Sequence, residues 1–289
     1  MNKMTIMAAS IAMTMAGYAA AESNHSMSHK AVADEVIAQQ QLALSQNTKN
    51  KGFGPQSPRD LDVLEGNNQR FFNTAPASTQ MNLCNIHFHK NAEHKGGEFT
   101  KYAGNGDGKG FNSGYLYAGE LTATELKATN VAACPSEHGG IYPGDTIELH
   151  YVHSSAQVTP GPTLGACLSE SIMNPQLRVE TQVFVVVNDE QALDFNKLTE
   201  FGLQDGHYQA FNIPDNTGKP IQYNGSTTGP GYNEKGSPLQ VSWSVRPQVA
   251  KVNVASLGQW CKSNDFKEDH GHGVRNLVQD PELLAPINQ

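Results

Sequence analysis

The sequence is short of positive charge, with 20 Lys and Arg against 28 Asp and Glu and a formal net charge of -8. It has no cluster of Lys or Arg, which argues against nucleic acid or an anionic membrane as partner, since both call for a concentrated cationic patch. A small or neutral ligand is the default expectation. Long apolar runs are also lacking. The N-terminal run "IMAASIAMTMAGYAAA" is too short to span a bilayer, and no later segment approaches the roughly 18 apolar residues of a spanning helix. Cysteine is limited to four residues, none in C-x-x-C spacing, which removes the usual thiolate metal motifs. No internal repeat, coiled-coil heptad or boundary linker divides the chain. Residues 22–289 are therefore read as one domain, long enough to bury a single sizeable core.

What is present begins with a leader. Residues 1–21 run from Lys3 through the apolar stretch to Ala19 and Ala21, which fit an A-x-A cleavage site. This reads as a signal peptide and sends the mature chain to the periplasm or outside the cell. In such an oxidising space Cys84, Cys134, Cys167 and Cys261 are expected to form two disulfides, by any of three pairings. Sequence carries no signal of oligomeric state, and a homodimer is compatible with it.

Residues 22–50 are polar and Gln-rich, and Val32, Val36, Ile37 and Leu44 recur at helical spacing, predicting a surface helix. From about residue 50 glycine and proline punctuate short runs of β-branched and aromatic residues, as in "GFGPQSP" and "TGPGYNEKGSP". The expected strands include "NIHFH", "TIELHYVH", "LRVETQVFVVV" and "LQVSWSV". The predicted fold is mainly β: a large, twisted, mostly antiparallel central sheet with short peripheral helices. "GNGDGKGFNSG" has Asp107 as its only carboxylate and fits neither a calcium nor a phosphate motif, so it is read as a turn-rich loop.

The chemistry concentrates in "NIHFHKNAEHK", which holds three of the eleven histidines. On a strand alternate side chains share a face, so His87 and His89 point the same way and form half of a metal site. "IELHYVH" supplies a third imidazole, His150, with Glu148 on the same face to accept a hydrogen bond from its other ring nitrogen. Three imidazoles leave one tetrahedral corner open, the pattern of a catalytic rather than a structural zinc site. Imidazole suits cobalt or cadmium as well as zinc.

Two templates contain these residues. "HFHKNAE" matches the H-x-H-x(3)-E of cupins, in which Glu93 would be a fourth ligand, although Gly144 to His150 is too long for the second cupin motif. Five landmarks instead resemble, in order, those of carbonic anhydrases: "PQSPRDLD", "HFH" with the following "EH", "ELHYVH", "NGSTTGP" and "VSW". "EH" follows "HFH" after only three residues, and one residue is missing before the Thr pair. This compact arrangement resembles the delta class, whose motifs are related to the alpha class, over roughly residues 50–250.

The resemblance implies a fold like that of alpha carbonic anhydrases and a carbonate dehydratase activity: zinc-dependent, reversible hydration of carbon dioxide to bicarbonate and a proton. A zinc-bound hydroxide would attack carbon dioxide held against an apolar wall. His87, His89 and His150 would be the zinc ligands, Asn85 and Glu148 would orient the first and third of them, and His94 would lie behind them. Thr227 would hold the hydroxide and pass its own proton to Glu93, while Thr228 would line the anion site. Val152, Val179 and Trp243 would form the wall. The alternatives are a cupin-type metalloenzyme and a non-catalytic carbonic-anhydrase-like binding module. No histidine lies between His29 and His87, where the alpha class keeps its proton shuttle. His138, His153 and His207 are unranked candidates for that role, and His270 and His272 are expected at the surface near the tail.

Overall fold

The computed structural model describes residues 30–70 and 72–288. The proposed signal peptide lies outside them. The N-terminal helix forms over Asp34–Thr48 (α1), with Asp34 and Glu35 in its first turn, where the helix dipole favours negative charge. Leu44 packs with Val278, Leu283 and Leu284, so this helix clamps the C-terminal segment onto the body. Val32 precedes the helix and Val36 is exposed.

Six strands build the central sheet: β1 (Asn82–Lys90), β2 (Thr146–Ser154), β3 (Leu177–Val187), β4 (Ile221–Ser226), β5 (Gln240–Val245) and β6 (Ala250–Asn253). Their order is β1-β2-β3-β5-β4, with β6 also paired to β3. The sheet is mixed. β1–β2, β2–β3 and β4–β5 are antiparallel, whereas β5 and β6 run parallel to the first and second halves of β3. β3 takes strands on both edges and cover on both faces: its second half, "VFVVV", is continuously apolar, and all but one of its residues are buried.

Each face of the sheet carries a core. Phe88, Leu149, Tyr151, Phe184 and Val186 point to one side, where Phe195 of α2 (Phe195–Leu198) and Leu257 and Trp260 of α3 (Val254–Trp260) cover them. Val152, Val179, Val183, Tyr223 and Trp243 form the other core. Strand alternation sends His87, His89 and His150 to this second side. Two disulfides form, Cys84–Cys167 and Cys134–Cys261. The first ties β1 to the turn Leu164–Cys167 beside the histidines. No described helix is long and apolar enough to cross a membrane.

Candidate metal centre

Register places the site. In the β1–β2 pair His87 lies directly opposite His150, and His89 lies opposite Glu148. A row of facing residues then runs across five strands: Asn85, Val152, Val179, Trp243 and Tyr223. Polar ligand residues and an apolar wall thus occupy neighbouring rows of one pleated surface.

Each imidazole is locked by a partner on its far nitrogen. Asn85 Nδ2 donates to the Gly161 carbonyl at 3.0 Å, which turns its Oδ1 toward His87 Nδ1 at 2.6 Å. His89 Nδ1 donates to the Gly273 carbonyl at 3.0 Å, and His150 Nε2 donates to Glu148 Oε1 at 2.7 Å. The lone pairs left over are on His87 Nε2, His89 Nε2 and His150 Nδ1. One ligand nitrogen from each ring lies within 4.8 Å of the others.

This arrangement fits a divalent cation. His87 Nε2 and His150 Nδ1 face each other at 3.2 Å while the far nitrogen of each ring is engaged by Asn85 or Glu148, and His89 Nε2 is buried without a partner. Three converging lone pairs repel unless a cation takes them. Burial also holds the rings neutral, as ligation requires. It is the largest cause of the lowered pKa of all three histidines, and it takes His89 to about 3.

Glu148 anchors the assembly from behind. Its Oε1 also accepts from His94 Nδ1 at 2.7 Å, and its Oε2 accepts from the His94 backbone N–H at 3.1 Å. Burial opposes its charge most strongly. His94 and His150 outweigh that effect and hold its pKa well below the usual carboxylate range. His94 Nε2 lies 2.7 Å from the Tyr223 hydroxyl, itself 3.0 Å from Ser57 Oγ. This brings the early "QSP" stretch beneath the site.

Glu93 is 1% exposed, and burial is the first cause of its raised pKa. Its Oε1 accepts from the Arg275 backbone N–H at 2.7 Å, while Oε2 lies 3.7 Å from His89 Nε2 without a hydrogen-bond partner. The Thr228 side chain favours the charged form of this carboxyl. The family resemblance gives that place to Thr227. Thr227 instead pairs with Ser237, Oγ to Oγ, at 2.5 Å.

The histidines open into a cavity of about 310 Å³. Val152, Leu164, Leu177, Val179, Val241 and Trp243 line one side of it, and Thr227 and Thr228 lie at its edge. Sequence reasoning missed the contribution of the C-terminal segment. Gly273 holds His89, Arg275 holds Glu93, and Glu268, His270 and His272 form part of the cavity wall, the two histidines with partly exposed side chains as expected. The signal available was the acid-histidine run "EDHGHG". His138, His153 and His207 do not line the cavity.

A family model described as delta carbonic anhydrase matches residues 78–256. The chain belongs to this family. Among solved structures, this delta carbonic anhydrase is similar to an alpha-carbonic anhydrase of Photobacterium profundum at 15% identity. That match covers 82% of this chain and 89% of the other, with a TM-score of 0.29. It is also similar to the alpha-carbonic anhydrase of Thermovibrio ammonificans in complex with the inhibitor sulfanilamide. There the identity is 17%, the coverage 78% and 84%, and the TM-score 0.27. No curated protein matches the chain.

Proposed function

We propose that this delta carbonic anhydrase catalyses the reversible hydration of carbon dioxide to bicarbonate and a proton, with zinc held by His87, His89 and His150. The observation that carries the reading is the convergence of three neutral imidazole lone pairs beside an apolar wall. A divalent cation in such a cage supplies a water acidic enough to act as a nucleophile at neutral pH.

The chain's own residues do the rest. Asn85, the Gly273 carbonyl and Glu148 fix which nitrogen of each ring is bare, and so keep three lone pairs aimed at one point. Val152, Val179 and Trp243 offer carbon dioxide, which has no charge to bind, a dry surface next to that point. Thr228, which favours the charged form of the Glu93 carboxyl, would donate to it and turn its own acceptor lone pairs toward the reacting water. The resemblance implies this role for Thr227, and both hydroxyls line the cavity. The cupin reading required Glu93 as a ligand, yet Glu93 falls outside the group of three histidines.

Stopped-flow hydration of carbon dioxide by the purified protein tests the proposal. Activity should vanish with a chelator, return with zinc and be absent in His87→Ala. A His87→Ala variant that keeps full hydration activity and stoichiometric zinc would refute it.

A further inference from the structure

Hydration of carbon dioxide by water yields bicarbonate and one proton, and that proton has to leave a buried cavity. Glu93 is too deeply buried to exchange with solvent. His153 is buried on the other face of β2, and His138 stacks on Phe111, at 3.4 Å between centroids, without lining the cavity. The C-terminal segment offers a different route.

His272 is fixed against β1: its N–H donates to the Phe88 carbonyl at 2.9 Å, and the Lys90 N–H donates to its carbonyl at 3.1 Å. The Val274 N–H donates to the Gly110 carbonyl at 2.9 Å. Gly110 has a φ of 101°, and a Cβ there would sit 2.5 Å from the Val274 carbonyl oxygen. The glycine-rich loop is therefore shaped to receive this segment. The His272 ring lies 5.4 Å from that of His87, and its Nε2 is held at 2.5 Å by Glu268 Oε2. His270 lies parallel to His272, 5.9 Å between centroids and 6° between planes. Its side chain is 38% exposed, yet it lines the cavity.

We infer that His270 is the group that takes up the proton leaving the cavity and passes it to solvent, with His272 and Glu268 as the platform that positions it. The assignment rests on the hydratase reading. His270 Nδ1 is bound to Asp269 Oδ1 at 2.5 Å, so uptake falls to Nε2. There the ring accepts a proton through cavity water, becomes imidazolium, and returns to neutral by giving the proton to a buffer base. Ring centroids step from His87 to His272 at 5.4 Å and on to His270 at 5.9 Å, and the side chains of the last two reach solvent.

The test is stopped-flow hydration by wild type and His270→Ala at low and high buffer, with metal content checked in both. In low buffer His270→Ala should lose about tenfold or more in kcat, with kcat/KM within about twofold of wild type. Added imidazole should restore kcat with saturation. A crystal structure of the variant grown with imidazole should show the small base lying over His272. Wild-type kcat for His270→Ala in low buffer would overturn the assignment, as would a loss that imidazole does not rescue. Absence of hydration by zinc-loaded wild type would overturn the hydratase reading itself, and the assignment with it.

Discussion

Replacing Glu148 by Gln leaves the shape of the side chain unchanged and reverses half of its hydrogen-bonding character. The native carboxylate accepts three hydrogen bonds, from the His94 and His150 rings on Oε1 and the His94 backbone on Oε2. An amide has only one acceptor oxygen. If that oxygen takes the place of Oε1, the amide N–H₂ confronts the His94 backbone N–H. If it takes the place of Oε2, the N–H₂ confronts two ring N–H groups, and His150 must move its proton to Nδ1, the atom meant for the metal. Either way a buried donor faces a donor, at a cost of about 1–3 kcal/mol. The loss of an orienting partner of this kind lowers metal affinity by about 10–100-fold. Competition with a chromophoric chelator measures that affinity, and circular dichroism confirms the fold. A folded Glu148→Gln variant that binds zinc within threefold of wild type would refute the reasoning.

Three further outcomes follow from the same geometry. Thr228→Val should reduce kcat by about tenfold or more and Thr227→Val should do less, the reverse of what the resemblance implies, as measured by stopped-flow hydration. His153 is neutral in the folded protein because burial lowers its pKa from 6.5 to about 4. The unfolded chain therefore binds the proton first as pH falls. Stability is complete above pH 6.5 and declines toward pH 4, by about 2 kcal/mol between pH 7 and 4.5; urea unfolding of metal-free wild type and His153→Phe should differ by that much in their pH dependence. Removing Cys84–Cys167, whose ends are 83 residues apart, should cost about 4 kcal/mol in chain entropy and also weaken zinc binding, because the loop that holds Asn85 through Gly161 is released.

Much of the sheet was legible in the sequence, because local pattern determines it. The apolar second half of β3 and the alternation in β1 and β2 mark their own boundaries, and the shared face of His87 and His89 follows from a period of two, while His150 joins them through the β1–β2 register. β4 and β6 were missed: "IQYNGS" ends in loop-like residues, and "AKVN" is too short to show a period. Metal-facing geometry was partly visible through Asn85 and Glu148, which lie two residues from their histidines on the same strand. Gly273 and Arg275 act through backbone atoms from the far end of the chain, and no residue type announces a carbonyl or N–H that will be used at such a distance. The same long range hid His270 and His272, whose place is set by Gly110 and β1 rather than by anything adjacent.

X-ray absorption at the metal edge of the zinc-loaded protein, compared with His87→Ala and Glu93→Gln, addresses the central claim most directly. Wild type should show three imidazoles and one exchangeable oxygen. His87→Ala should lose one imidazole, and Glu93→Gln should leave the wild-type pattern unchanged. A centre with two imidazoles, or one that loses an oxygen when Glu93 is changed, would contradict the account.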